Sequence, residues 1–419
     1  MALDKIRIHG GTPLQGEVVV SGSKNAALPL LALTVLANKP CTIHNVPHLE
    51  DIKNMIKILD HLGAKVTQNQ NTVTVDASKL TSFDAPYEIV RKMRASVVFM
   101  GPLLAKYGEA KVSLPGGCAI GVRPIDLHLK AFEALGADIH IEEGYVLAKA
   151  KKLLGCKFFF DKITVTGTMN AMMAGAMAEG ETILQNCAKE PEVICFANAM
   201  RKMGIQVTGD GTDSIHIVGS SNIGGFEMDN IPDRIETGTF MVATAITGGE
   251  VHIKNTDPSF LEAVIAKLRQ TGSTVEEEKN GIWVKAGPKI LPCDIETSPH
   301  PGFPTDMQAQ FVSLLSLADG KSVVSETIFE NRFMHVPELA RMGANLKISG
   351  HAVTISGVKK LNGAPVMATD LRASASLILA GLSAQGATEV LRVYHLDRGY
   401  ERMDLKLKSL GANIERIPE

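Results

Sequence analysis

One phrase recurs six times along this chain and limits what it can fold into: an amphipathic helix that ends in glycine and runs into a strand. It reads His61-Leu62-Gly63-Ala64-Lys65-Val66, Ala134-Leu135-Gly136-Ala137-Asp138-Ile139, Lys202-Met203-Gly204-Ile205-Gln206-Val207, Gln270-Thr271-Gly272-Ser273-Thr274-Val275, Arg341-Met342-Gly343-Ala344-Asn345-Leu346 and Ser409-Leu410-Gly411-Ala412-Asn413-Ile414. The glycines are 73, 68, 68, 71 and 68 residues apart, and each suits the left-handed position that ends a helix. A second landmark keeps step with the first. It is a small-residue helix closed by Gly108, Gly180, Gly249, Gly320 or Gly386 and followed by a strand, with Asn38 in that place in the first copy. Self-similarity at a fixed period points to one structural unit used repeatedly. The unit reads as small-residue helix, strand, amphipathic helix, strand, turn, strand, an α/β arrangement.

The last strand of the unit is visible as Thr72-Val73-Thr74-Val75, Ser214-Ile215-His216-Ile217, Ile282-Trp283-Val284 and Ala352-Val353-Thr354-Ile355. The sixth copy ends at Ile417 without one. Lys5-Ile6-Arg7-Ile8-His9-Gly10 carries the same alternation, so the chain start is expected to close the last unit. Six units exceed one core, and loop residues Asn230-Ile231-Pro232-Asp233 separate the third from the fourth. We therefore expect one domain over 23–231 and a discontinuous one combining 1–22 with 232–419. Two chain crossings would leave a cleft between domains, the default place for a ligand.

Composition excludes several classes. At 419 residues with a net charge of -2, the chain lacks the basic excess of a nucleic-acid binder. Its longest nearly apolar run, 26–37, contains Pro29 and is shorter than the roughly 20 residues of a membrane helix. The stretch Met1-Ala2-Leu3-Asp4-Lys5 lacks the charged-then-apolar pattern of a signal peptide, and the six cysteines form no C-x-x-C pair. A cytoplasmic protein with free thiols is expected. Cys41, Cys156, Cys187, Cys195 and Cys293 read as small core residues. Only Cys118 lies in a glycine-rich loop, Pro115-Gly116-Gly117-Cys118-Ala119-Ile120-Gly121, where mobility and the nearby cation Arg123 make a thiol chemically available.

Cations stand repeatedly where helices begin. Lys24 follows Gly22-Ser23, Arg123 precedes Pro124, Arg332 precedes Phe333-Met334-His335-Val336, Arg372 opens Ala373-Ser374-Ala375, Arg398 precedes Gly399-Tyr400-Glu401, and Arg94 precedes Ala95-Ser96-Val97. The helix dipole opposes a cation there by about 0.3 to 1 kcal/mol. Such placement is useful where an anion is held by side chains and orphan N–H groups together. The alternative is local neutralisation by Glu330, Asp370 and Asp397. Asp306, before Met307 to Leu317, is either a first-turn dipole partner or a general base within reach of a hydroxyl. His128 or His395 could complete a triad with Cys118, although a hydrolase would leave the arginines unexplained. No Walker loop, G-x-G-x-x-G, H-E-x-x-H or metal-spaced His/Cys cluster is present in the sequence. The Met169 to Met177 segment reads as helix-core filling.

Six motifs, Ser23-Lys24-Asn25-Ala26-Ala27, the Cys118 loop, Arg123-Pro124-Ile125-Asp126-Leu127, Pro232-Asp233-Arg234-Ile235-Glu236-Thr237-Gly238, Phe303-Pro304-Thr305-Asp306-Met307-Gln308 and Asp370-Leu371-Arg372-Ala373-Ser374, together resemble the enolpyruvyl transferase family. The resemblance is to the UDP-N-acetylglucosamine 1-carboxyvinyltransferases, in order and over nearly the full chain. It implies two inside-out α/β barrels of three βαβαββ units each. It also implies transfer of the enolpyruvyl group of phosphoenolpyruvate to the 3'-hydroxyl of UDP-N-acetylglucosamine, the committed step of peptidoglycan synthesis, with no metal or organic cofactor. By resemblance Lys24, Asn25, Arg123, Arg372 and Arg398 bind phosphoenolpyruvate. Asn25, Arg94, Arg123, Pro124, Ile125, Asp126, Leu127, Lys162, Ile163, Thr164, Val165, Asp306 and Ile328 match positions that hold the nucleotide sugar. Cys118 matches the proton donor and the site alkylated by fosfomycin, and Asp306 matches the base. One departure stands out: the family's Ser-Val-Gly-Ala-Thr is here Thr164-Val165-Thr166-Gly167-Thr168, with the glycine displaced. The alternatives are a shikimate-pathway enolpyruvyl transferase, which lacks this cysteine loop, and a catalytically silent nucleotide-sugar binder.

Overall fold

The computed structural model describes residues 4–90, 94–114 and 125–418, with the side chains of 89, 90, 94 and 95 outside the description. Among the described residues six four-stranded sheets are formed, all with one strand order. In the fifth copy the short lead-in strand Ile295–Glu296 runs parallel to Lys321–Ser325, which pairs antiparallel with Ala352–Ser356, itself antiparallel to Asn345–Ser349. Alternation decides which face is covered. Val324, Val353 and Ile355 are fully buried while Val323 is 38% exposed, because successive side chains point to opposite faces.

The six repeated glycines adopt φ of 96, 95, 91, 96, 92 and 95° at positions 63, 136, 204, 272, 343 and 411. At Gly343 the amide donates to the Ala340 carbonyl at 2.9 Å and the next amide to Leu339 at 3.1 Å, a Schellman cap; Gly411 repeats it on Lys408 and Leu407. The turn reverses the chain into the next strand, which is why the phrase recurs in every unit.

The sixth sheet takes its inner strand from the chain start. Asp4–His9 lies between Ala387–Leu391 and Asn413–Pro418, antiparallel to both, with Ile6 and Ile8 fully buried. The lead-in strands show a second departure from chain order. Gln15–Val19, which precedes the first small-residue helix, pairs in parallel with Glu250–Lys254 of the fourth copy. Glu227–Asp229, which precedes the fourth copy's helix, pairs in parallel with Cys41–His44 of the first. Both chain crossings therefore fall just before a small-residue helix. The two compact units divide at 21/22 and 231/232, each around its own apolar core.

In the unit containing residues 4–21 and 232–418, the helices Arg234–Thr247, Gln308–Leu315 and Leu371–Ser383 pack on one another and are buried on nearly every side. In the other unit Val165–Gly175 packs on both Lys24–Leu33 and Met100–Tyr107. Met169, Met172 and Met173 fill that core. Such helices are apolar all round because sheets and helices surround them. Cys41, Cys187, Cys195 and Cys293 are buried and Cys156 is half-buried; burial pushes Cys41 and Cys195 up to about 11 and Cys187 to about 12. Among the described residues, no helix is long and apolar enough to cross a membrane.

Candidate active site

The most developed polar cluster surrounds Asp306. A 3-10 turn, Thr305–Met307, precedes the helix Gln308–Leu315, so Asp306 sits in that turn and not on the helix itself. Its Oδ1 accepts from Arg332 Nη2 at 2.7 Å and its Oδ2 from Arg372 Nη2 at 2.8 Å. Burial alone would raise the carboxyl, but the two guanidiniums outweigh it and hold Asp306 well below the usual carboxylate range. Arg372 is the second residue of its helix. Asp370 caps that helix, accepting from the amides of Arg372 at 2.8 Å and Ala373 at 3.0 Å, while Asp397 pairs with Arg416 at 2.6 Å. The nearby acid in sequence is thus occupied with backbone, and Arg372 is neutralised by a residue 66 positions away. Among the described residues, Arg372 Nε and Nη1 and Arg332 Nη1 are buried without a hydrogen-bond partner.

Several residues hold this cluster in place. The buried carboxylate of Glu326 accepts from Thr305 Oγ1 at 2.8 Å, Thr297 Oγ1 at 3.0 Å and the amide of Ile328 at 2.8 Å, joining the Asp306 turn to the loop of Ile328. Gln310, one helical turn after Asp306, donates to the Asp306 carbonyl at 2.9 Å and the Tyr400 hydroxyl at 3.2 Å. The Tyr400 ring lies 5.4 Å from the Arg372 guanidinium carbon. Arg398 ends the 3-10 helix Val393–Arg398, a correction to its expected place at a helix start; the next helix begins only at Met403. The physical reason lies at Gly399. A Cβ there would stand 2.5 Å from Leu371 Cδ2, so the chain breaks off its turn to pass against the start of the Arg372 helix. Arg372 and Arg398 are brought onto neighbouring segments by that contact. His395, half-buried beside Arg398, is pushed down by burial and by that cation.

In the unit of 22–114 and 125–231, Lys24 is the first residue of the helix Lys24–Leu33, because Ser23 caps it by accepting from the Ala26 amide at 3.3 Å. Its ammonium lies 3.2 Å from the buried Asp51 carboxylate. This contact offsets the unfavourable dipole, and Asn25 follows in the same turn. Thr164 caps Val165–Gly175 by accepting from the Gly167 amide at 3.2 Å. A Cβ on Gly167 would fall 2.4 Å from Thr164 Cγ2, so the displaced glycine accommodates the threonine cap. Lys162 and Ile163 are exposed just before it. Ile125 precedes the helix Asp126–Ala134, where Asp126 is a first-turn acid and Leu127 is half-buried. His128 is buried, takes a 3.0 Å hydrogen bond from Asn170 and is lowered to about 4 by burial, which marks it as a core residue. Cys118, Arg123 and Pro124 lie outside the described residues, as does the side chain of Arg94.

In the sequence Arg332 stands as a cation before a helix pattern with no ligand implied, and Glu326, Gln310 and Tyr400 belong to no candidate site. Only Gln310 had a signal, its i, i+4 spacing from Asp306. Chemically, a carboxylate held ionised between guanidiniums with open donors is suited to an anionic ligand beside a hydroxyl that must lose a proton.

Comparisons with known proteins bear on this arrangement. Residues 8–407 match the family model described as EPSP synthase (3-phosphoshikimate 1-carboxyvinyltransferase). A protein of Geotalea uraniireducens named UDP-N-acetylglucosamine 1-carboxyvinyltransferase is 55% identical over 417 residues, covering 100% of both chains. A Psychrobacter protein of the same name is 50% identical over 418 residues, covering 99% of this chain and 97% of that one. The crystal structure of the enolpyruvyl transferase NikO from Streptomyces tendae superposes with a TM-score of 0.89 at 25% identity over 100% of both chains. An EPSP synthase from Acinetobacter baumannii, at 19% identity, TM-score 0.77 and coverage of 99% and 100%, shares the fold.

Proposed function

The chain belongs to the UDP-N-acetylglucosamine 1-carboxyvinyltransferases of the EPSP synthase family, and from that membership we infer that it transfers the enolpyruvyl group of phosphoenolpyruvate to the 3'-hydroxyl of UDP-N-acetylglucosamine, releasing phosphate. The observation that carries this reading is identity of 50 to 55% with relatives of that name over their whole length. The product is a peptidoglycan precursor. A cytoplasmic setting belongs to the same reading.

In the addition step the 3'-hydroxyl loses its proton to Asp306 as its oxygen bonds to C2 of phosphoenolpyruvate. The C2–C3 double bond takes a proton at C3 from the Cys118 thiol, giving a tetrahedral ketal. In the elimination step the Cys118 thiolate takes a proton back from C3, the double bond re-forms, phosphate leaves with the C2–O electron pair, and the proton held by Asp306 goes to the departing phosphate. Lys24, Asn25, Arg123, Arg372 and Arg398 hold phosphoenolpyruvate. Asn25, Arg94, Arg123 to Leu127, Lys162 to Val165, Asp306 and Ile328 hold the nucleotide sugar. What supports these roles is the ionised Asp306 beside the open donors of Arg372, and the placement of Lys24 and Thr164 at helix starts, where backbone N–H groups add to the attraction for phosphate.

The test is phosphate release from phosphoenolpyruvate with UDP-N-acetylglucosamine against shikimate 3-phosphate as acceptor. Turnover with the first alone is expected. Turnover only with the second, or tight binding of the sugar nucleotide without turnover, would replace the reading. Pretreatment with fosfomycin should abolish release and add one inhibitor mass to the Cys118 peptide.

A further inference from the structure

Arg332 stands outside the residues assigned to substrate above, yet it makes the shortest ion pair to Asp306, at 2.7 Å. The two arginines take one carboxylate oxygen each, so rotation of the carboxylate would break both bonds. Their side chains are 4% and 5% exposed and packed under the rings of Phe329 and Tyr400, whereas 27% of the Asp306 side chain is exposed. Asp306 is therefore the most exposed member of the three. Arg372 bonds it through Nη2 alone; among the described residues its buried Nε and Nη1 make no well-formed hydrogen bond, and the Tyr400 hydroxyl interacts with the guanidinium only weakly.

We propose that Arg332 is a positioning residue: with Arg372 it clamps the Asp306 carboxylate in one orientation and holds it as a reserve base, until an anion on the open donors of Arg372 offsets that cation and lets Asp306 take the hydroxyl proton. The anion is the carboxylate or phosphate of phosphoenolpyruvate, so the base is activated only when phosphoenolpyruvate has arrived. Two features support this order. Donors left open on a buried guanidinium require an acceptor, and a like charge brought near a carboxylate raises its proton affinity by about 1 to 3 pH units. Other charged groups are accounted for. Tyr400 and Asp233 act on Arg372, while His335 feels both Arg332 and Asp370, and buried His335 is neutral above about pH 4.

The inference rests on Asp306 being the base, and the variants separate the two. Full-length Arg332→Gln, Arg332→Lys and Asp306→Asn are compared with the parent by pH profiles of kcat, with thermal unfolding and calorimetric binding of UDP-N-acetylglucosamine as folding controls. Arg332→Gln should shift the acid limb of kcat upward by about 1 unit or more, since one cation is lost from the carboxylate. Arg332→Lys, which keeps the charge but not the fork, should leave the limb in place and lower kcat by tenfold or more. In the parent, the limb should lie at higher pH in kcat than in kcat/KM for phosphoenolpyruvate, after correction for the substrate's own ionisation. A folded Arg332→Gln with an unmoved limb overturns the clamp. If that variant does not fold, parental kcat in Arg332→Lys does so instead, and equal limbs in kcat and kcat/KM overturn the anion trigger. Retained turnover in Asp306→Asn would instead remove the base assignment itself.

Discussion

At the scale of single residues, Asp306 and its partners show where local reading stops. Asp306 could be singled out from its own surroundings, because an acid at the start of a helix pattern is either a dipole partner or a base. Its pairing with Arg332 and Arg372 could not, since the three are separated by 26 and 66 positions and meet only through folding. The acids adjacent in sequence, the alternative partners for these arginines, are engaged elsewhere: Asp370 satisfies two orphan amides of its helix, and Asp397 pairs with Arg416. Gly399 makes a prediction at this scale. Its φ is -148°, so backbone strain is not the issue; the obstacle is Leu371. Gly399→Ala should cost about 1 to 3 kcal/mol of stability by overpacking and raise KM for phosphoenolpyruvate, because it pushes the Arg398 segment from the Arg372 helix. Thermal unfolding and steady-state kinetics of this variant would check it, and a parental KM would contradict it.

At the scale of elements, the amphipathic helices and their glycine ends were readable because both depend on local rules. A left-handed φ near 95° strongly favours glycine, and the apolar period marks the buried face. The lead-in strands were not individually readable. Asp84–Ala85 and Ile295–Glu296 have two residues each, too few to carry a period, and only pairing to a neighbour defines them. The strand Asp4–His9 is the strongest case for a test, since its alternation is clear and both its edges are paired. Deleting residues 1–10 removes the buried Ile6 and Ile8, each worth about 2 to 5 kcal/mol, and strips the ladders of two strands. That approaches the roughly 5 to 15 kcal/mol that holds a typical domain together. The expected outcome is rapid tryptic cleavage throughout 232–418 while 22–114 stays protected. An unchanged digestion pattern would show the strand to be dispensable.

At the scale of the whole molecule, buried titrating groups set the response to acid. His128 and His335, one in each unit, are both lowered to about 4 from an ordinary value near 6.5, chiefly by burial. Between those values the unfolded chain binds a proton that the folded one refuses, so stability must fall as pH drops from about 6.5 to 4. Each histidine contributes a loss on the order of 3 kcal/mol over that window. Asp306 acts in the same direction at lower pH, its stabilisation being lost as its carboxyl protonates, while Glu236, raised by burial, acts in the opposite one. Urea midpoints measured from pH 7.5 to 4.5 should decline, and Asn in place of His128 should flatten part of the slope. A midpoint independent of pH would contradict this.

The sixfold α/β unit, the helix ends, the covered face of each long strand and the small-residue helices were legible in the residues alone, because period, chirality and capping act within a few residues of chain. Tertiary structure alone decided which short lead-in strand joins which sheet, which arginines neutralise Asp306, and that Glu326 ties two site segments together. Those outcomes depend on groups dozens to hundreds of positions apart, whose attraction counts only once burial has removed water and brought them within hydrogen-bond distance.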